Sequence, residues 1–333
     1  MAFSAADVPP LLPAVGPAEA MAILSAMRAV AAPGGAPSGM AERSVGAAAR
    51  YVFGDASLAV AAGGQIAPDE LAAALPDPGL GDVACRFLGV MALVDGIIDP
   101  LRIAMVQAFA DALRIEGRYL GELAALATGG QAEALSKMTA LNMESITNAP
   151  WPGGDVNVWL RPYENAADPA LAARFAALGE LGPETIGHTL WAHFRHNHYG
   201  FPGEPDGLNA AFGLPHDTLH VLTGYNTRPD GEILVSTFTA AAHPVNPMEG
   251  HILPVLVSWH VGARINNVAG DATGALDPEE FWHAWAAGAA ARVDTFAPGW
   301  DFWAVAGEDL RGLRRRWAIP EDGLVPHGDG GVA

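Results

Sequence analysis

The chain has 333 residues, half of them apolar and 17% charged, with a formal net charge of −19 and a single lysine, Lys137. That length predicts one large or two modest domains, and the apolar content supplies a core and excludes a disordered chain. The charge repels phosphate backbones, which excludes nucleic acid as a partner, and it repels anionic lipid headgroups, so any membrane contact must be hydrophobic.

Alanine, the best helix former, is very frequent, and alternating runs of Val, Ile and Thr are rare. The expected fold class is therefore all-α, a multi-helix bundle. Residues 1–16 read as a loose lead-in without the basic start and apolar core of a signal peptide. Gly16-Pro17 opens a helix to about Val30, since Pro suits the first helical position. The segment 31–39 is a connector, followed by helices over about 40–52 and 68–75. PDPGLGD (76–82) is a break, and a helix then runs through Val94. It carries the one cysteine, Cys85, in an apolar run, which points to a buried, inert thiol. One cysteine excludes an intrachain disulfide and a cysteine-rich zinc module.

Asp99-Pro100 is a helix cap followed by Pro at the first position, and Ile103, Val106, Phe109, Ala110 and Leu113 continue at helical spacing. Helices over about 116–128 and 131–142 complete the first half. The stretch 148–169, rich in Pro, Gly and Asn, is the expected boundary between an N-terminal helical region (1–150) and a second helical domain (151–333). Helices follow at about 169–178 and 183–197, the latter opened by Gly182-Pro183. No run of about 18 clean apolar residues exists. The nearest, Phe87 to Ile98 and Ile252 to Val261, read as buried helices. The expected location is cytoplasmic.

Residues 214–245 hold the densest chemistry. Pro215 is expected to start a helix that Gly224 ends. His216 and His220 are four apart and share a face, and Asp217 flanks it. Asp230 is expected to cap a second helix carrying Glu232 in its first turn. The short connection makes the helices neighbours, so Glu232 can return over His216. Two imidazoles and two carboxylates suit a divalent metal on a helix pair: zinc is favoured, with magnesium or another first-row metal as alternatives. The bland alternative is a fortuitous His pair beside acids placed by helix dipoles.

The stretch HDTLHVLTGYNTRPDGE fits HDxxH, eleven residues, then Glu. It resembles the metal motif of the ubiquinone (coenzyme Q) biosynthesis Coq-four family. Gly224 and Gly231 match as well, as do Thr185-Ile186-Gly187 upstream and AWAAGAAARV and GEDLRGLRRRWAI downstream, so the resemblance spans roughly 165–320. It implies an all-helical fold, a divalent metal held by His216, Asp217, His220 and Glu232, and a prenylated aromatic acid or prenyl lipid bound between helices. The implied activity is removal of the ring carboxyl coupled to oxidation at that carbon. Peripheral contact with the inner membrane, and a homodimer or a quinone-biosynthesis complex, are further expectations. Gly213-Leu214-Pro215 departs from the family's more polar, often basic approach to the first His, and the N-terminal half is longer than the family's. The rival function is a non-catalytic prenyl-lipid carrier or scaffold.

FLGVMALVDGIIDPLRIAMVQAFADAL resembles the helical hairpin of TerB-like domains, with Asp95 and Asp99 as its acidic pair, although a turn and a helix cap account for both. His188, His193, His196 and His198 crowd one helix end. They read first as cations at a helix C-terminus. Alternatively one supplies the first ligand of an HD-type phosphohydrolase, with Asp271 or Asp294 as the later acid. An HExxH peptidase is disfavoured because Asp217 is one methylene shorter than the required base. Trp282, Trp285, Trp300, Trp303 and Trp317 read as core rather than pocket. The ligand tail is expected along Phe238, Ala241 and residues 252–257.

Overall fold

The computed structural model describes residues 15–264 and 272–324. Among them the protein is all-α, with no strand beyond a lone bridge between Thr185 and Asp309. In chain order the helices are α1 (Pro17–Ala31), α2 (Gly39–Ala47), α3 (Ser57–Ala61), α4 (Pro68–Ala74), α5 (Pro78–Leu93), α6 (Pro100–Leu113), α7 (Arg118–Ala127) and α8 (Gln131–Thr147). The second half has α9 (Val156–Leu160), α10 (Pro169–Ala176), α11 (Ile186–His196), α12 (Ala210–Thr223), α13 (Pro229–Ala242), α14 (Leu253–Leu256), α15 (Pro278–Ala290) and α16 (Leu310–Arg316). Two wide turns with π-helical hydrogen bonding, Pro247–Ile252 and Val257–Val261, flank α14.

Four helices open on the same device, an Asp followed by Pro: α5, α6, α10 and α15. Each Asp side chain accepts from a backbone N–H that has no partner within the helix, and each Pro stands where no N–H is needed. Such a cap contributes about 1 kcal/mol over alanine. At Asp77-Pro78 the cap starts α5 inside the expected break at 76–82. α11 opens on Thr185, whose hydroxyl accepts from the His188 N–H, instead of on Pro183. α8 runs on to Thr147 instead of stopping at 142, α9 is a short helix inside the expected boundary 148–169, and α3 is a short helix in a stretch the sequence left unassigned.

The apolar faces form two cores. The first is built mainly from residues 20–138 and the second from 143–324. α13 and α15 serve both: Ile233, Ala240 and Ala241 enter the first, and Leu234, Val235 and Phe238 the second. Trp282 is fully buried on α15, 4.6 Å from the Phe87 ring, and its indole N–H donates to the Ser44 hydroxyl at 2.7 Å. Trp285 and Trp317 are core residues, and Trp300 and Trp303 pack half-buried on the second core. Cys85 is buried, and burial pushes its thiol up to about 12, which keeps it protonated and inert. Among the described residues no helix is long and apolar enough to cross a membrane.

The turn after α5 places Gly96 at φ 70°. Asp95 is held by the Ser38 hydroxyl at 2.6 Å and the Arg102 guanidinium at 2.7 Å, and Asp99 caps α6. Both acids of the TerB-like echo thus have local partners, as the turn-and-cap account expects.

Candidate functional site

α12 begins earlier than Pro215. Asn209 caps it, accepting from the Ala211 N–H, and Pro215 lies inside the helix. The sequence signal misleads because Pro at a helix start is so common. The added turn brings Phe212 under His216, ring centroids 4.9 Å apart and nearly parallel. Gly224 ends α12 at φ 82°, a conformation costly for any residue with a Cβ. α13 starts with Arg228 at the cap position and Pro229 in the first turn, so Asp230 is a first-turn acid beside Glu232 and not the cap. Gly231 lies so close to the linker that a Cβ there would stand 2.0 Å from the Asn226 carbonyl oxygen. This contact ties the start of α13 to the end of α12.

Of the four residues expected as ligands, His216 and His220 lie together, Glu232 contacts both, and Asp217 groups with the two histidines. The Nε2 atoms of His216 and His220 are 3.2 Å apart. Glu232 Oε2 lies 3.1 Å from the first, and Oε1 lies 3.5 Å from the second. Ligands of a tetrahedral zinc ion at 2.0–2.1 Å stand about 3.3 Å from one another. The three separations, two of which end on different oxygens of Glu232, bracket that value, so the spacing of the two imidazoles and the carboxylate is compatible with such an ion. Ligand atoms of His216, Asp217 and His220 lie within 4.8 Å of one another, a group that does not include Glu232.

Asp217 is buried and lies 3.3 Å from His193 Nε2. His193 reads in the sequence first as a cation at a helix C-terminus and alternatively as one of four candidates for a first HD-type ligand. It does sit in the last turn of α11, but its ring turns inward and stacks over His220 with centroids 5.5 Å apart. Asn197 holds it from below, donating to its backbone carbonyl at 2.9 Å. Spacing could not reveal this residue, because it reaches the site through helix packing. The crowded HFRHNH run was the only hint. For the HD-type arrangement, His193 is at hand; of the two later acids, Asp294 is paired with His243 at 2.8 Å, and Asp271 lies outside the described residues.

The Nδ1–H of His220 donates to the Tyr225 carbonyl at 3.0 Å, which leaves the Nε2 lone pair aimed at His216 and Glu232. Burial by itself disfavours charge on His220, but Glu232, Asp217 and the Tyr225 carbonyl outweigh it and raise its pKa to about 9. Burial likewise opposes charge on Glu232, yet His220 and His216 hold its carboxyl well below the usual carboxylate range. The carboxylates thus favour positive charge at His220.

His216, Asp217 and Glu232 line a cavity of about 640 Å³. α13 turns Glu232, Ser236 and Thr239 toward it, at helical spacing. Much of the remaining wall is apolar, including Met138, Met143, Ile146 and Val255. Phe238 and Ala241 do not line it. They are buried on the other side of α13, in the cores. Of residues 252–257, Pro254 and Val255 reach the cavity. Trp259 is the tryptophan on its wall, and none of the five singled out in the sequence is.

No protein-family model, curated protein or solved structure matches the chain.

Proposed function

We propose that the protein is a metal-dependent enzyme of quinone assembly that acts on a prenylated hydroxybenzoate. The observation that carries this reading is the union of a zinc-compatible His216–His220–Glu232 cluster with a cavity of about 640 Å³ whose wall is part polar and part apolar. Pockets of 300–1,000 Å³ suit a ligand of roughly drug size, and this one offers charge on one wall and hydrocarbon on others. The motif HDxxH, eleven residues, Glu supports the family assignment.

In this reading His216, His220 and Glu232 hold the ion, with Asp217 beside them. Zinc is favoured by the two imidazoles; magnesium or another first-row metal is the alternative. When bound, the ion supplies Lewis acidity toward the carboxylate or phenolate oxygens of the ring. The chain's own residues do the rest. Tyr225 fixes the His220 tautomer, and His193 steadies Asp217. Met138, Met143, Ile146 and Val255 keep water from the ring and tail. Loss of the carboxyl breaks its bond to the ring, releases carbon dioxide and leaves the electron pair on the ring carbon. Dioxygen then oxidises that carbon, and a two-electron donor reduces its second oxygen to water.

The competing reading is a carrier that binds the same ligand unchanged. Zinc-loaded protein incubated in air with 3-farnesyl-4-hydroxybenzoate and a reductant separates the two. Carbon dioxide release that is lost in His220→Ala supports the enzyme. Tight binding with no release over many hours supports the carrier.

A further inference from the structure

His251, in the first wide turn before α14, lines the same cavity as His216 and Glu232 and has no part in their cluster. Its Nε2 is 2.6 Å from the Ser145 hydroxyl, which is wholly buried. That hydroxyl also lies 2.9 Å from the Val245 carbonyl. A carbonyl only accepts, so the single proton of Ser145 goes to Val245, and Nε2–H of His251 donates to Ser145. Two consequences follow. Ser145 is not a nucleophile, since its proton is committed and it does not line the cavity. The lone pair of His251 is therefore on Nδ1. Among the described residues Nδ1 has no hydrogen-bond partner, and it is not among the fully buried unpartnered atoms. The remaining space it can face is the cavity.

The ring is kept neutral. Burial pushes it down to about 3, and the nearby His243 and, across the cavity, His216 act in the same direction. A neutral imidazole with Nε2–H already committed offers a ligand one thing, an acceptor. An acceptor buried on a partly apolar wall is costly unless a donor meets it.

We propose that His251 Nδ1 accepts a hydrogen bond from the phenolic hydroxyl of the ring, so that the cavity recognises a hydroxylated aromatic acid at two places, the His216–His220–Glu232 cluster and His251. This rests on the ring-acid reading above and adds the residue that tells a phenol from its hydroxyl-free analogue. Ser145 is a positioning residue that fixes the tautomer and the ring plane.

The test uses zinc-loaded protein and two probes, 3-farnesyl-4-hydroxybenzoate and 3-farnesylbenzoate, with affinities from calorimetric titration. Wild type is expected to prefer the hydroxylated probe by about tenfold or more, because a site built for a hydroxyl rejects a ligand lacking it. His251→Phe should abolish that preference while retaining zinc and the helical spectrum. His251→Gln, which restores an acceptor oxygen, should recover part of it. An equal preference in wild type and His251→Phe overturns the proposal, as does a wild type that binds both probes equally; the ring-acid reading survives either result. If zinc-loaded wild type binds neither probe, that reading fails and this proposal fails with it.

Discussion

The Nδ1–H of His220 donates to the carbonyl oxygen of Tyr225, five residues on, at 3.0 Å. The bond exists because Gly224 turns the chain sharply at the end of α12 and brings the next carbonyl back beneath the last helical turn. A local chain reversal thereby sets the tautomer of a buried imidazole. The nitrogen left with a lone pair is the one facing His216 and Glu232. Histidine ligands of metals usually carry such a partner on their other nitrogen.

Glu232→Gln separates a ligand from a dipole partner. The substitution keeps size and an acceptor oxygen but removes one negative charge. An exposed first-turn Glu gains only about 0.3–1 kcal/mol from the helix dipole. Zinc affinity should fall by far more than that, at least tenfold, as measured beside thermal unfolding of the metal-free forms. Unchanged affinity with a loss of a few tenths of a kcal/mol would reduce Glu232 to a dipole partner.

Gly231→Ala should harm both the fold and the site. Its new methyl would meet the Asn226 carbonyl oxygen at 2.0 Å, so the linker or the start of α13 must move. Overpacking of this kind costs about 1–3 kcal/mol. Denaturant unfolding should show that loss, and zinc titration should show weaker binding because Glu232 is the next residue. A neutral outcome in both would mean the linker yields freely.

Stability of the metal-free protein should peak near neutrality. His220 has a folded pKa of about 9, above its unfolded value near 6.5, so its contribution is full below about 6.5 and is lost as pH rises through 9. His251 is the reverse. Its folded pKa is about 3, so its neutral form contributes fully above about 6.5, and stability falls as pH drops toward 3. Each limb amounts to a few kcal/mol at most. Unfolding curves across pH should show both, with His251→Phe reducing the acid limb to the part that Glu232 carries and leaving the alkaline limb in place. Zinc must displace the His220 proton, so zinc affinity should rise with pH up to about 9.

The helices were legible in the sequence where the backbone signal is local. Asp99-Pro100 announced a cap and a first turn, and it stands as read. Pro183 and Pro215 misled because a neighbouring side chain, Thr185 or Asn209, does the capping instead. The contacts of Glu232 with His216 and His220 were legible because the two histidines share one helix face and the linker to α13 is short. His193 was not, since its inward turn depends on how α11 packs on α12. The cavity side of α13 was also misjudged. Phe238 and Ala241 marked an apolar stripe, and apolar stripes turn to a core before they turn to a ligand.

That last point makes a paired prediction. Ser236→Phe places a large side chain in the cavity and should block farnesylated probes while leaving zinc content and thermal stability close to wild type. Phe238→Ala hollows the second core and should cost about 3–5 kcal/mol. Zinc should still bind the folded fraction of that variant. Thermal melts and probe titrations on the two variants check this, and reversed outcomes would place the ligand on the wrong side of α13.

The central claim is that His216, His220 and Glu232, with Asp217 beside them, hold one divalent ion. Metal analysis of protein purified without chelators and supplied with zinc tests it most directly. The account predicts close to one zinc per chain in wild type and almost none in His220→Ala, with both proteins helical. A folded wild type that stays free of metal under those conditions would contradict it.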